Sequence, residues 1–208
     1  MGDTNRRTLE VYNRNAKEYI ERSPTEMSGY LKQWVDACFE GVPKNARVLE
    51  IGTGGGRDAD YLEHELGMSE LIRTDAASEF VEMQRGNGHD AAQLDVLTDA
   101  IQPGAFDVVF ADAVLLHFDE QELPVALKNI YNGLSEGGEF YFTTAKPGPG
   151  QARNGWSSMK LGQERYFNRM TEDELRQQLA DAGFNADDTV ILTDTSGLWY
   201  HVATRKVA

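Results

Sequence analysis

Residues 48–58 read Val-Leu-Glu-Ile-Gly-Thr-Gly-Gly-Gly-Arg-Asp, an apolar run that stops at an acid and breaks into a glycine-rich turn. A helical pattern follows, with Ala59, Leu62 and Leu66 on one face and Gly67 as its C-terminal stop. Strand, glycine turn, helix is how an α/β protein holds a nucleotide-like ligand at the carboxyl edge of a parallel sheet. Glycine gives the turn its unusual backbone angles and lets the chain approach a ligand closely. The rest of the chain has to be compatible with that unit.

The spacing of the glycines divides two ligand classes. A dinucleotide turn reads G-x-G-x-x-G; Gly52 and Gly54 fit it, but the third position holds Arg57 and Gly56 comes one residue early. What stands here is Glu50-x-Gly52-x-Gly54-x-Gly56. Downstream, residues 70–74 form a short second strand that ends at Asp75, 19 positions after Gly56. A carboxylate there accepts from both hydroxyls of a ribose; the same acid is also a good N-cap for a helix over residues 77–85. Residues 88–94 are a weak third strand running into Asp95-Val96, and residues 106–111 are a strong one running into Asp112-Ala113 and on to His117. Asp107, at the far end of that strand, reads as structural.

Taken in order, these stretches resemble the motifs of the class I S-adenosylmethionine-dependent methyltransferases, over most of the chain. The resemblance implies S-adenosylmethionine as cofactor. It implies contacts from Glu50, Gly52, Gly54, Gly56, Asp75, Asp95, Val96, Asp112 and Ala113, with Asp95 accepting from the adenine amino group and the Val96 amide meeting the ring. It places His117 beside the methyl donor, either as a base toward an O–H or S–H acceptor or as a packed histidine bonded to backbone. Two helices in residues 1–42, separated by Pro24 and Gly29, look like the family's N-terminal helical cap. Tyr12, Ala16 and Tyr19 share one helical face there, so the two tyrosines either contact the acceptor or are plain core.

The expected fold is α/β, a Rossmann-like seven-stranded, mostly parallel sheet flanked by helices. The parallel part includes a strand over residues 139–144 after a tight turn at Ser135-Glu136-Gly137-Gly138. The last strand pair, residues 190–193 and 199–204, is antiparallel, and Thr171-x-x-Glu174 is a capping box before the last helix. Residues 146–170 are rich in Pro and Gly and carry five basic residues against Glu164 alone, so they read as a lid-like loop or as charges paired locally with the acidic remainder; the resemblance implies that this loop covers the acceptor, with Arg165 as a candidate contact.

Composition narrows the partners. A chain of 208 residues fits one domain. Its formal net charge of −14 disfavours a nucleic-acid backbone. No apolar stretch is long enough to span a membrane and no signal-like start is visible, which points to the cytoplasm. Cys38, the one cysteine, sits in an apolar helical stripe and reads as a small buried hydrophobe. His64, His89, His117 and His201 are scattered, so no metal site is expected. The leading expectation is methyl transfer to a small-molecule or short-peptide acceptor by a monomer or homodimer. The alternatives are an RNA or protein methyltransferase and, behind those, a nicotinamide-dependent oxidoreductase, which Arg57 disfavours.

Overall fold

Strand β1 (Arg47–Ile51) is buried from Val48 to Ile51, which is why its sequence there is apolar apart from Glu50. In the computed structural model, which describes residues 3–158 and 160–207, it lies third in a seven-stranded sheet of order β3-β2-β1-β4-β5-β9-β8. The strands are β2 (Glu70–Asp75), β3 (Ala91–Gln93), β4 (Phe106–Ala111), β5 (Leu134–Ala145), β8 (Val190–Thr193) and β9 (Trp199–Arg205). Pairings from β3 across to β5 are parallel; β9 is antiparallel to both β5 and β8. The expected sheet and its antiparallel closing pair are both present.

Alternation along the strands splits the interior in two. Leu49, Val109, Phe140 and Phe142 face helices α5 (Glu122–Gly133) and α6 (Glu172–Ala182). Val48, Val108, Phe110 and Tyr141 face α2 (Gly29–Phe39) and the segment after the glycine turn, through Trp34, Phe39 and Leu62. Helix α1 (Asp3–Glu21) packs through Ala16 and its neighbours on Ala77 and Phe80 of the α4 region (Ser78–Gly86). Strand order reverses between β1 and β4, and α1 lies across the carboxyl edge there, where open α/β sheets hold ligands.

Three expectations need correcting. The helix after the glycine turn is α3 (Arg57–Asp60) followed by a π-helical turn, Tyr61–Glu65, before Gly67 stops it at φ +72°. The supposed tight turn 135–138 lies inside β5: Phe106 pairs with Leu134 but Val108 with Glu139, so these residues form a bulge, with Gly137 left-handed and a Cβ on Gly138 only 2.9 Å from the Ser135 carbonyl. Within the lid-like loop, β6 (Asn154–Ser157) and β7 (Arg165–Asn168) pair as an antiparallel hairpin that packs on α1. The capping box is present, Thr171 accepting from the Glu174 amide and Glu174 from the Thr171 amide. Among the described residues no helix is long and apolar enough to cross a membrane.

Candidate functional site

The glycine turn is pinned to the sheet before any ligand arrives. The amides of Gly52 and Thr53 both donate to the Thr74 carbonyl at 2.8 Å. Gly52 has φ +82°, and a Cβ there would lie 2.4 Å from Val114 Cγ2, so only glycine fits. Gly54, also left-handed, faces a cleft of about 670 Å³. Gly56 does something else. Its missing Cβ leaves room for the Gln84 carboxamide, which would stand 2.7 Å away. Gln84 donates to the Gly54 carbonyl (3.2 Å) and accepts from Arg73 (3.0 Å), bracing the turn from behind. Glu50 is 2 % exposed, and burial pushes its carboxyl up to about 8. Gly56 and Glu50, both expected as contacts, stand behind the residues that line the cleft.

Two buried acids line the same cleft. Asp75 accepts from the Gly54 amide (3.0 Å) and the Ala77 amide (2.8 Å), so it serves the local turn and the glycine loop at once; burial raises it to about 6. Asp95 accepts from the Leu97 amide (3.0 Å) and from the Asn5 side chain (3.3 Å), and burial raises it too. Val96 lies beside it on the wall.

Past β4, Ala113 takes φ +57°, unusual for a residue with a Cβ. It is held there by its amide, which donates to Thr143 Oγ1 at 3.0 Å, while the Thr143 hydroxyl donates to Asp112. Arg57 clamps Asp112 and Asp58, each at 2.7 Å. Burial, then the charge of Asp112, raises Asp58 to about 6.

Tyr12, Tyr19 and His117 close the cleft opposite. Arg165 donates to the Tyr12 oxygen (2.8 Å), and that hydroxyl meets His117 Nε2 (2.8 Å). His117 Nδ1 lies 2.7 Å from the Tyr166 carbonyl. A carbonyl only accepts, so Nδ1 carries the proton and Nε2 accepts from Tyr12. Burial lowers His117 to about 4, with the Arg165 charge acting in the same direction. Both ring nitrogens are engaged, Nδ1 with backbone and Nε2 with Tyr12, which is the arrangement of the packed alternative.

Arg165 also lines a second chamber of about 1200 Å³, continuous with the first at Tyr12, Tyr19, Asp112, Ala113 and His117. Of the basic residues in 146–170, Arg153 pairs with Glu174, while Lys160 reaches the Ser23 hydroxyl (2.6 Å) and sits 3.8 Å over the Tyr19 ring. Sequence reasoning missed Asn5 and Thr8, which line the first cleft together with Leu9 of the Tyr12 face. Their spacing to Tyr12 continues the helical stripe that marked Tyr12, Ala16 and Tyr19, so the signal was present. It also missed a cluster of Asp60, Glu63 and His64, whose ligand atoms lie within 4.8 Å of one another; Arg73, 1 % exposed, is bonded to both carboxylates of that group.

The methyltransferase-domain family matches residues 23–189. The tRNA (carboxymethyluridine(34)-5-O)-methyltransferase alkbh8 of Xenopus tropicalis is 25% identical over 67% of this chain, and this chain spans 22% of that relative's length. Among solved structures, the [4+2]-cyclase SpnF has a TM-score of 0.74 at 14% identity, covering 99% of this chain and 97% of that one. The 1,6-didemethyltoxoflavin-N1-methyltransferase of Burkholderia thailandensis, solved with 1,6-didemethyltoxoflavin and S-adenosylhomocysteine, has a TM-score of 0.67 at 16% identity, covering 96% and 85%. At these identities the structural likeness is one of fold.

Proposed function

The chain belongs to the methyltransferase-domain family, and from that premise we propose that it transfers a methyl group from S-adenosylmethionine to a small-molecule or short-peptide acceptor. The carrying observation is one cleft wall on which Gly52, Gly54, Asp75, Asp95, Val96, Asp112 and Ala113 stand together at the switch point of the sheet. Two acids suit a ribose and an adenine amino group, and the left-handed backbone of Gly52 and Gly54 forms part of the wall between them.

S-adenosylmethionine, when bound, supplies a methyl group on a sulfonium. The protein then has to align and to exclude water. Helix α1 does the second, roofing the cleft through Asn5, Thr8 and Tyr12. Arg57, Thr143 and Asp112 fix the backbone at Ala113 where the two cavities meet. Tyr12, held by Arg165 and His117, presents its ring to both cavities. The net charge of −14 supports a small acceptor over RNA. The tRNA chemistry of the Xenopus relative belongs to a protein of which this chain matches a fifth. Arg57, tied to Asp58 and Asp112, leaves no third glycine for a dinucleotide.

Isothermal titration with S-adenosylhomocysteine, S-adenosylmethionine and NADH tests this reading. The first two should bind and NADH should not. Asp75→Ala should weaken S-adenosylhomocysteine by about 2–3 kcal/mol, the loss of charge-assisted hydrogen bonds. An unchanged dissociation constant in a folded Asp75→Ala protein would reassign Asp75 to the Ala77 turn alone.

A further inference from the structure

His201 is the histidine that the chemistry above does not use. It is 5 % exposed and lines the second chamber. Its ring meets Tyr30 and Trp34 edge-on, at centroid distances of 4.9 and 5.1 Å. Those contacts hold the imidazole without satisfying it. Nδ1 is sealed from solvent with no hydrogen-bond partner among the described residues. A buried polar atom left so is rare and calls for an explanation. His117, by contrast, has both nitrogens occupied.

Its place in the sheet is specific. His201 on β9 pairs directly with Thr143 on β5, and side chains of such a pair lie on one face within about 5.5 Å at Cβ. Thr143 is the residue that holds Ala113 and Asp112, the wall shared by the two cavities. His201 is thus one side chain away from the junction where donor and acceptor would meet. The chamber it faces has apolar and aromatic lining, from Leu31, Leu116, Phe167 and Trp199, with cationic groups at Lys160 and Arg165 and carboxylates at Asp112 and Asp194.

Resting on the methyl-transfer reading, we infer that His201 receives the acceptor's proton and that the acceptor is a hydroxylated aromatic. The apolar and aromatic walls take the ring, and the hydroxyl donates to Nε2, since Nδ1 is sealed from the chamber. The acceptor oxygen forms the new bond to the methyl carbon, the electron pair of the broken carbon–sulfur bond stays on sulfur, and the hydroxyl proton passes to His201 and then to solvent. Lys160 and Arg165 favour the negative charge that builds on the oxygen. Burial lowers the His201 pKa, with Asp112 and Asp194 pulling it back up, so the ring is neutral and able to accept.

The test measures binding of umbelliferone, a fluorescent phenol, to protein saturated with S-adenosylhomocysteine. Its methyl ether, which has no proton to give, is the control. Umbelliferone should bind saturably to the unaltered protein and about tenfold more weakly to His201→Phe. His201→Asn, which keeps a polar acceptor, should fall between, and the ether should not distinguish the three proteins. S-adenosylhomocysteine affinity, unchanged across them, reports intact folding; if His201→Phe fails that check, His201→Asn against the unaltered protein decides. Absence of saturable phenol binding overturns the aromatic class. Equal phenol affinity in a folded variant overturns the role of His201. If the unaltered protein binds no S-adenosylhomocysteine, the methyl-transfer reading itself falls, and this inference with it.

Discussion

Replacing Glu50 by Gln should stabilise the protein, by an amount that depends on pH. Glu50 is 2 % exposed, its Oε2 has no hydrogen-bond partner among the described residues, and burial, then the charge of Asp58, raises its carboxyl from 4.5 to about 8. The folded protein therefore holds this carboxyl protonated over a range where the unfolded chain ionises it. Its contribution is fully present below pH 4.5 and is lost as pH rises through about 8. Each pH unit in that window removes about 1.4 kcal/mol from the parent protein. At pH 7 the accumulated loss is about 3 kcal/mol, and it levels off near 5 kcal/mol at higher pH. Gln carries no proton to lose, so the variant escapes the loss. His117 titrates in both proteins and cancels in the difference, whereas Asp58 and Asp75, whose charges act on Glu50, cancel only in part. Urea unfolding of both proteins at half-unit steps from pH 4 to pH 9 measures it. The stability difference should be small at the acid end and climb steadily in favour of Gln. A difference that stays flat with pH would refute the argument, since it would mean that Glu50 ionises in place. S-adenosylhomocysteine affinity should not change, because Glu50 lies behind the cleft wall.

Gly52→Ala forces a left-handed alanine, costing about 1–2 kcal/mol, and puts its Cβ 2.4 Å from Val114 Cγ2; urea unfolding should show a larger loss than the backbone penalty alone, and a near-neutral result would mean the turn relaxes. Tyr12 and His117 should behave as one unit: a double-mutant cycle of Tyr12→Phe and His117→Phe, read by unfolding free energy, should give a coupling of about 0.5–3 kcal/mol. Strict additivity would mean their 2.8 Å contact contributes nothing.

The parallel half of the sheet was legible because strands buried on both faces are mainly apolar, as Val48, Leu49 and Ile51 of β1 and Val108, Val109 and Phe110 of β4 are, and because β1 runs into a glycine and β4 into an aspartate. The acids at positions 75 and 95 were legible for the same reason: they mark strand ends at a fixed edge. The hairpin β6–β7 was not. Its strands are four residues each, half-exposed, and set among glycines, so neither alternation nor length announced them. The bulge in β5 was hidden because Gly137-Gly138 carries the signal of a turn whether or not the strand resumes its pairing. The state of His117 was beyond the sequence altogether. It depends on Tyr12 and Tyr166, 105 and 49 positions away, and no local pattern records a bond across such distances. His201 looked like one of four scattered histidines until pairing with Thr143 set it beside Ala113.

The seat of α1 has a consequence for the order in which the molecule can be completed. Its side chains and amides bond to Asp95, Glu122, His117 and Arg165, and it accommodates the Tyr166 amide through Thr8. This helix precedes all of these partners along the chain, and the most distant of them is residue 166. Until that residue is in place, the chain carries an amphipathic segment with an apolar face and no finished surface to lay it on. The contacts that close the cleft are also among those most distant along the chain, and such contacts form late because bringing their ends together is entropically unfavourable. Ligand competence should thus follow the folding of the parallel strands, which lie nearer to one another along the chain.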